Sequence, residues 1–338
     1  MGQIRTQHAP NKRSSSNFHA SLAHQRNYPY TENMNDFMVS PLPPRDGINP
    51  SVVWLSTGPW LTLMDFLLER FPNVPTTVWR NRLDKGEVVS SNGERMASSS
   101  HYRAGLCLYY YREIADEEKI PFFETVLHET EHLLVVDKPH FLPVTPSGMY
   151  LKETLLTRLR QTFNNPTLSP IHRLDRDTAG VILFSKNSAT RGAYQQLFAE
   201  RAVHKTYHAI ARTQPDLSFP LIHRSRLAEA NQFFIMHEIE GEANSETRIS
   251  LMKSHGTLSL YQLEPLTGKK HQLRVHMSSL GMPIINDAFY PLTHPKQADD
   301  YSRPLQLLAK KIKFIDPTNH CPCSFESMQV LKLGESLS

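Results

Sequence analysis

The residues best suited to chemistry lie in one charged stretch, IHRLDRDTAG at residues 171–180, which runs directly into the apolar residues 181–184. A hydrogen-bonding cluster leading into a buried strand puts its polar groups at the strand end, where sites are commonly built. Two carboxylates stand there, Asp175 and Asp177, beside Arg173 and Arg176. Paired carboxylates suggest the acid and base of a glycoside hydrolase. The spacing argues against that. Residues two apart in extended chain share a face, and both acids neighbour a guanidinium group, so ion pairing is the expected outcome. One ionised carboxylate among cations suits a nucleophile or a base, because opposite charge keeps its pKa low. A solvated loop with local ion pairs is the bland alternative.

Such groups need elements to position them. Residues 133–136 read as a strand ending at Asp137-Lys138-Pro139, residues 152–163 as a helix and residues 181–184 as a short strand. Ser188 can cap a helix running to Arg201, with Ala193, Leu197 and Phe198 on one face. Residues 205–211 return to strand. Thr267 can cap a helix carrying Leu273, Met277 and Leu280, with Gly281 as its stop. Strands and helices mix without βαβ regularity and without an internal repeat. That predicts an α+β domain around a central, largely antiparallel mixed sheet.

Residues 50–113 read as a separate small α/β unit. Leu61, Met64, Leu67 and Leu68 fit one helix face, with Thr62 as its cap. A second helix carries Trp79, Arg80, Arg82 and Leu83 and stops near Gly86. Strands at 88–89 and 106–111 flank the turn Asn92-Gly93. Arg80, Arg82 and Lys85 cluster on the helical part. Residues 1–49 are polar and cannot bury enough apolar surface to offset the entropy of ordering. They are expected to form a disordered or loosely docked tail. Residues 114–124 are an acidic linker, and residues 125–332 form the main domain.

The 338 residues carry a net charge of +4. This mildly basic balance is compatible with nucleic acid. The charge is concentrated: residues 151–212 hold ten lysines and arginines against four acidic residues. Three cysteines, Cys107, Cys321 and Cys323, make no disulfide framework, which points to a reducing, cytoplasmic compartment. No apolar run approaches membrane-spanning length, and the N-terminus lacks the apolar core of a signal peptide. His320, Cys321 and Cys323 lack a second ligand pair at zinc spacing, so no metal is expected.

A set of ordered segments carries a resemblance. HRLDRDTAG at 172–180 is followed by AVHKTYHA at 202–209 and GKKHQLRVHM at 268–277, the last continuing to Gly281, Pro283, Asp287 and Tyr290. Upstream stand Asp137-Lys138-Pro139 and Leu142-Pro143-Val144. In order and spacing these are similar to the motifs of the RluA-type pseudouridine synthases, over roughly residues 125–330.

The resemblance implies an isomerase that converts uridine in ribosomal or transfer RNA to pseudouridine without a cofactor. It implies that Asp175 is the essential aspartate, by covalent attack or by taking a ribose proton. Tyr207 would stack on the target base, and Arg274 would pair bidentately with the catalytic carboxylate. Arg173 would fill the RNA stack left by a flipped-out base. An aromatic face under an extruded base returns about 1–3 kcal/mol. Arg176, Lys205, Lys269, Lys270 and His271 complete the expected RNA-contacting set, although Arg176 and Asp177 also read as local structural ions. Without the motifs, Tyr207 reads as core and Arg274 as a surface charge.

The chain departs from the pattern at Lys269, where the family commonly has Arg, and at Ala179, where Ser is frequent. Residues 60–111 resemble the small RNA-binding module often found ahead of this domain and known from a ribosomal small-subunit protein. A plain structural appendage is the alternative there. A monomer is expected. Two other classes compete for the whole chain: a non-catalytic RNA-binding protein on the same scaffold, and a glycoside or nucleoside hydrolase, which needs a second carboxylate and a water position.

Overall fold

A computed structural model describes residues 40–114, 116–230, 235–291 and 299–331. The expected tail lies, up to residue 39, outside the described residues.

The first sheet is small. It contains β1 (Ser51–Trp54), β2 (Val88–Ser90) and β3 (Cys107–Tyr110), antiparallel in the order β1-β3-β2. Between β1 and β2 run α1 (Leu63–Arg70) and α2 (Thr76–Asp84). Thr62 caps α1 reciprocally. Its hydroxyl accepts from the Asp65 N–H at 3.2 Å, and the Asp65 carboxylate accepts the Thr62 N–H at 3.0 Å. Leu63, Phe66 and Leu67 bury with Trp79, Leu83, Leu108 and Tyr110. Leu61 lies ahead of the helix and is exposed. The expected basic cluster loses Arg82, which is buried with its guanidinium over Trp79 and Tyr110. Arg80 and Lys85 remain exposed.

The second sheet has eleven strands. They are β4 (Thr125–Glu129), β5 (Leu133–Lys138), β6 (Ser169–Pro170), β7 (Ala179–Ser185), β8 (His204–Arg212), β9 (Leu221–Glu229), β10 (Met236–Ile239), β11 (Ser245–His255), β12 (Leu258–Pro265), β13 (Leu307–Ile315) and β14 (Pro322–Glu326). The main path is β10-β9-β11-β12-β8-β13-β7-β5-β4, with β14 beside β13 and β6 beside β7. Every pairing is antiparallel except that of β13 with β7. This is the largely antiparallel mixed sheet expected of an α+β domain.

The parallel junction is short, with Leu308 opposite Ala179 and Ala309 opposite Gly180. It joins two antiparallel halves. Gly180 makes the approach possible: its φ is +113°, and a Cβ there would stand 2.2 Å from the Ala309 carbonyl oxygen. β7 is buried along its whole length, which accounts for its unbroken apolar run. One side packs on α3 (Leu155–Thr162) through Leu134, Val136, Leu159, Ile182 and Phe184. The other packs near α4 (Ser188–Ala199) through Val135, Val181, Leu183 and Tyr194.

Three helix expectations are corrected. α3 starts at Leu155 behind Thr154, because residues 152–153 turn to give their N–H groups to Glu117. Asn187, not Ser188, caps α4, and Tyr194 rather than the exposed Ala193 is its core residue. α5 (Gln272–Ser279) has His271 at its cap position, while the Thr267 hydroxyl bonds the Gln272 side chain at 2.7 Å. Gly281 follows α5 at φ +74°, as a helix stop should.

Candidate active site

Asp175 sits in the loop that enters β7. Leu174 is buried in the core beside it, and the Thr178 N–H closes a turn onto the Asp175 carbonyl at 3.1 Å. Two groups clamp the ends of the loop, the half-buried His172 and the buried Lys138. His172 accepts the Leu183 N–H on Nε2 at 3.1 Å and stacks on Phe198. Burial, helped by the charge of Lys205, pushes this imidazole down to about 3, so it is neutral. Lys138, at the end of β5, donates through Nζ to the carbonyls of Pro139, Leu142 and Arg176, each at 2.9 Å. Burial pushes Lys138 down to about 7, against the opposing charges of Asp177 and Asp175.

The carboxylate of Asp175 is 28% exposed, enough for a substrate to reach it. Its Oδ2 lies 3.2 Å from Arg274 Nη1 and 3.9 Å from His271 Nε2. Burial alone would raise its pKa. His271, Arg274 and Lys138 outweigh that and hold it below the ordinary carboxylate range. The charge pattern alone gave this task to the neighbouring arginines and the resemblance gave it to Arg274, which is found at the carboxylate. Arg176 turns away to pair with Asp299, at 3.0 Å from Nη1, and with Asp177 at 3.4 Å. Asp177 titrates upward because burial outweighs its cationic neighbours.

Arg274 comes from α5, a short helix buried from Gln272 through Met277. The Gln272 amide seats it. Its oxygen accepts from Thr267 Oγ1 and the Lys269 N–H, while its nitrogen donates to the Glu246 carbonyl and Thr247 Oγ1. The bidentate pairing expected between Arg274 and Asp175 is corrected: a single nitrogen, Nη1, reaches the carboxylate. The Arg274 fork grips Asp287, with Nε to Oδ2 at 2.8 Å and Nη2 to Oδ1 at 2.7 Å. The same Asp287 oxygen accepts the N–H groups of Phe289 and Tyr290. Asp287 and Lys138 are thus structural to the site. Both stand in the quoted motifs, which gave them no role.

Tyr207 lies on β8, opposite Ala309 of β13 and Leu263 of β12, and packs against both flanking cores. Burial raises its hydroxyl well above the usual tyrosine range, and the charge of Asp175 adds to this, so the phenol keeps its proton at neutral pH.

The expected RNA-contacting residues divide. Arg173, Lys269 and Lys270 are exposed. Lys205 is half-buried and donates to the Thr267 carbonyl at 3.3 Å. Arg176 is committed to Asp299, and His271 faces inward to Asp175.

His223, Glu238 and His276 lie close enough together to suggest metal ligands. Their hydrogen bonds favour a polar network. His223 bonds Glu238 at 2.8 Å, and His276 meets Thr247 Oγ1 through Nδ1 and Ser245 Oγ through Nε2, both at 2.9 Å. Cys321 and Cys323 are free thiols. Among the described residues no helix is long and apolar enough to cross a membrane.

Comparison with known proteins places the chain in a family. A family model described as RNA pseudouridylate synthase matches residues 132–279. The chain is similar to the dual-specificity RNA pseudouridine synthase RluA of Vibrio cholerae, 32% identical over 216 residues that cover 59% of this chain and 83% of that one. It is likewise 32% identical over 207 residues to the RluA of Yersinia pestis, covering 60% of this chain and 97% of the relative. The solved structure of human RNA pseudouridylate synthase domain containing 1 shares the fold, with a TM-score of 0.51 and 24% identity, covering 61% of this chain and 84% of that one.

Proposed function

This chain belongs to the RluA-type RNA pseudouridine synthases, and on that premise we propose that Asp175 carries the reaction, with Tyr207 under the target base and Arg274 holding the carboxylate. The enzyme is an isomerase acting on uridine in RNA. Its reaction breaks the N1–C1′ bond, turns the uracil and forms C5–C1′. C5 loses a proton and N1 gains one, so no oxidant, reductant or net hydrolysis enters.

The observation that carries the proposal is the convergence of Arg274 and His271 on one oxygen of Asp175. That leaves Oδ1 as the oxygen offered to the ribose, for attack at C1′ or for removal of a ribose proton. The protonated Tyr207 supplies a face for stacking and a hydroxyl for hydrogen bonding, not a phenolate base. Arg173, Lys269 and Lys270 hold phosphates or fill the vacated stack. The substrate is ribosomal or transfer RNA, and the dual specificity printed for the relatives supports more than one RNA target. The enzyme acts as a monomer in this reading. The small N-terminal unit adds RNA contacts, the division at residues 114–124 separates it from the catalytic domain, and the enzyme works in the cytoplasm.

The test is pseudouridine mapping on transcribed ribosomal and transfer RNA. Asp175→Asn abolishes modification while RNA binding persists. Modification that survives this substitution overturns the proposal.

A further inference from the structure

We infer that the Met236 N–H, the Tyr290 hydroxyl and His271 form a relay that fixes the His271 tautomer, turning an Nε2–H toward Asp175 and making His271 and Tyr290 positioning residues for the catalytic carboxylate. This rests on the assignment of Asp175 as the reacting group.

His271 holds a left-handed backbone, φ +53°, just ahead of α5. Few non-glycine residues adopt that conformation, and here it accompanies a side chain that is only 8% exposed. The ring stacks on Phe289 at 5.7 Å between centroids and stands edge-on to Tyr290. Its Nδ1 lies 2.9 Å from the Tyr290 hydroxyl, and that hydroxyl accepts the Met236 N–H at 2.9 Å.

The proton count decides the rest. Tyr290 is buried, and its phenol has one proton to donate. If Nδ1 carried the ring proton, the hydroxyl would accept twice, and its own proton would have no acceptor among the described residues. A buried donor left unmade is penalised. Donation from Tyr290 to an unprotonated Nδ1 satisfies all three groups. A neutral ring then bears its proton on Nε2, the atom facing Asp175. Burial holds the imidazole below its ordinary pKa against the pull of Asp175, consistent with a neutral ring.

The 3.9 Å gap to Oδ2 is too long for a hydrogen bond and short enough for a dipole to orient the carboxylate. A neutral donor suits this place. It biases Oδ2 toward itself and Arg274 without adding a second full positive charge that would blunt Oδ1.

The experiment is nitrogen NMR of the full chain labelled at histidine, with the His271 signal assigned from His271→Gln. The expected result is a protonated Nε2 and a bare, hydrogen-bonded Nδ1. A protonated Nδ1 overturns the proposal. In turnover, Tyr290→Phe lowers kcat on the order of 10- to 100-fold at unchanged KM, the mark of lost alignment rather than lost binding. His271→Gln, whose amide can still donate toward Oδ2, retains more activity than His271→Ala. Unchanged kcat in Tyr290→Phe also overturns the relay. If that variant misfolds, the wild-type spectrum alone decides. A wild-type protein that forms no pseudouridine in any RNA sinks the functional reading instead, and the ring's protonation is still read separately.

Discussion

Arg274 divides its guanidinium unequally: Nε and Nη2 hold Asp287 at 2.8 and 2.7 Å, and only Nη1 reaches Asp175, at 3.2 Å. Asp287 is therefore the anchor and Asp175 the beneficiary. The arginine is fixed before any substrate arrives, and the catalytic carboxylate is aimed without being clamped on both oxygens.

Removing the anchor should be costly. In the Arg274–Asp287 pair the side chains are 2% and 0% exposed. Asp287→Ala leaves a buried guanidinium short of charge, and breaking such a pair typically costs about 3–5 kcal/mol. Urea unfolding should show a midpoint lowered accordingly. An unchanged midpoint would mean that Arg274 finds full compensation in Asp175 alone.

Stability should fall in mild acid. Burial depresses His172 to about 3 and both His140 and His276 to about 4. Unfolded histidines titrate near 6.5, so between about pH 4 and 6.5 the unfolded chain binds more protons than the native one. The stability these rings contribute is complete above about pH 6.5 and is lost as pH falls toward the native values. Asp175, also depressed, acts in the same direction further down, and Asp177, raised, acts against it. Denaturant titrations at pH 7, 6 and 5 check this. A flat profile would contradict neutral burial of these rings.

RNA affinity should separate the cations by their present partners. Lys269→Ala, at an exposed position, should reduce the slope of log K against log salt by about 0.7–0.9. Arg176→Ala should leave the slope alone, because Asp299 already neutralises it. Filter binding over a salt series distinguishes these. A slope reduced only by Arg176→Ala would reverse the assignment.

Gly180→Ala should destabilise the protein more than any helix-surface exchange of similar size. The position combines φ +113° with a neighbouring carbonyl 2.2 Å from the new Cβ. Thermal melting should show a drop of several degrees. Wild-type melting would mean that β13 can recede without loss.

The legible part of the sequence was the part buried on both sides or marked by spacing. The β5 and β7 runs, the Thr62 cap and the Asp175 loop could be read because apolar runs and capping residues act locally. β9 to β14 were not foreseen, nor were β1, β4 and β6. β9 is mostly half-buried or exposed and carries Arg224 and Arg226, β11 buries the polar Ser245 and Thr247 with Ile249 and is exposed from Leu251 onward, and β13 interrupts its apolar residues with Lys310, Lys311 and Lys313. Such strands exist through their neighbours rather than through their own pattern. Of the groups at Asp175, the ordered motifs gave Arg274, but local charge pointed only to Arg173 and Arg176, and the approach of His271 just ahead of α5 was hidden, because charge acts through space and both groups lie about a hundred residues downstream.

That separation shapes how the protein is made. The loop of Asp175 belongs to the half-sheet of β4, β5 and β7, whereas Tyr207 and Arg274 belong to the half that begins at β8, and β13, late in the chain, joins the two through two residue pairs. Contacts between such distant segments are slow to form, because closing long loops loses chain entropy first. A nascent chain released before β13 would hold every proposed catalytic side chain and still have no seam to assemble them. Activity should therefore appear only with the final docking step of folding, which makes pseudouridine formation a sensitive reporter of complete folding.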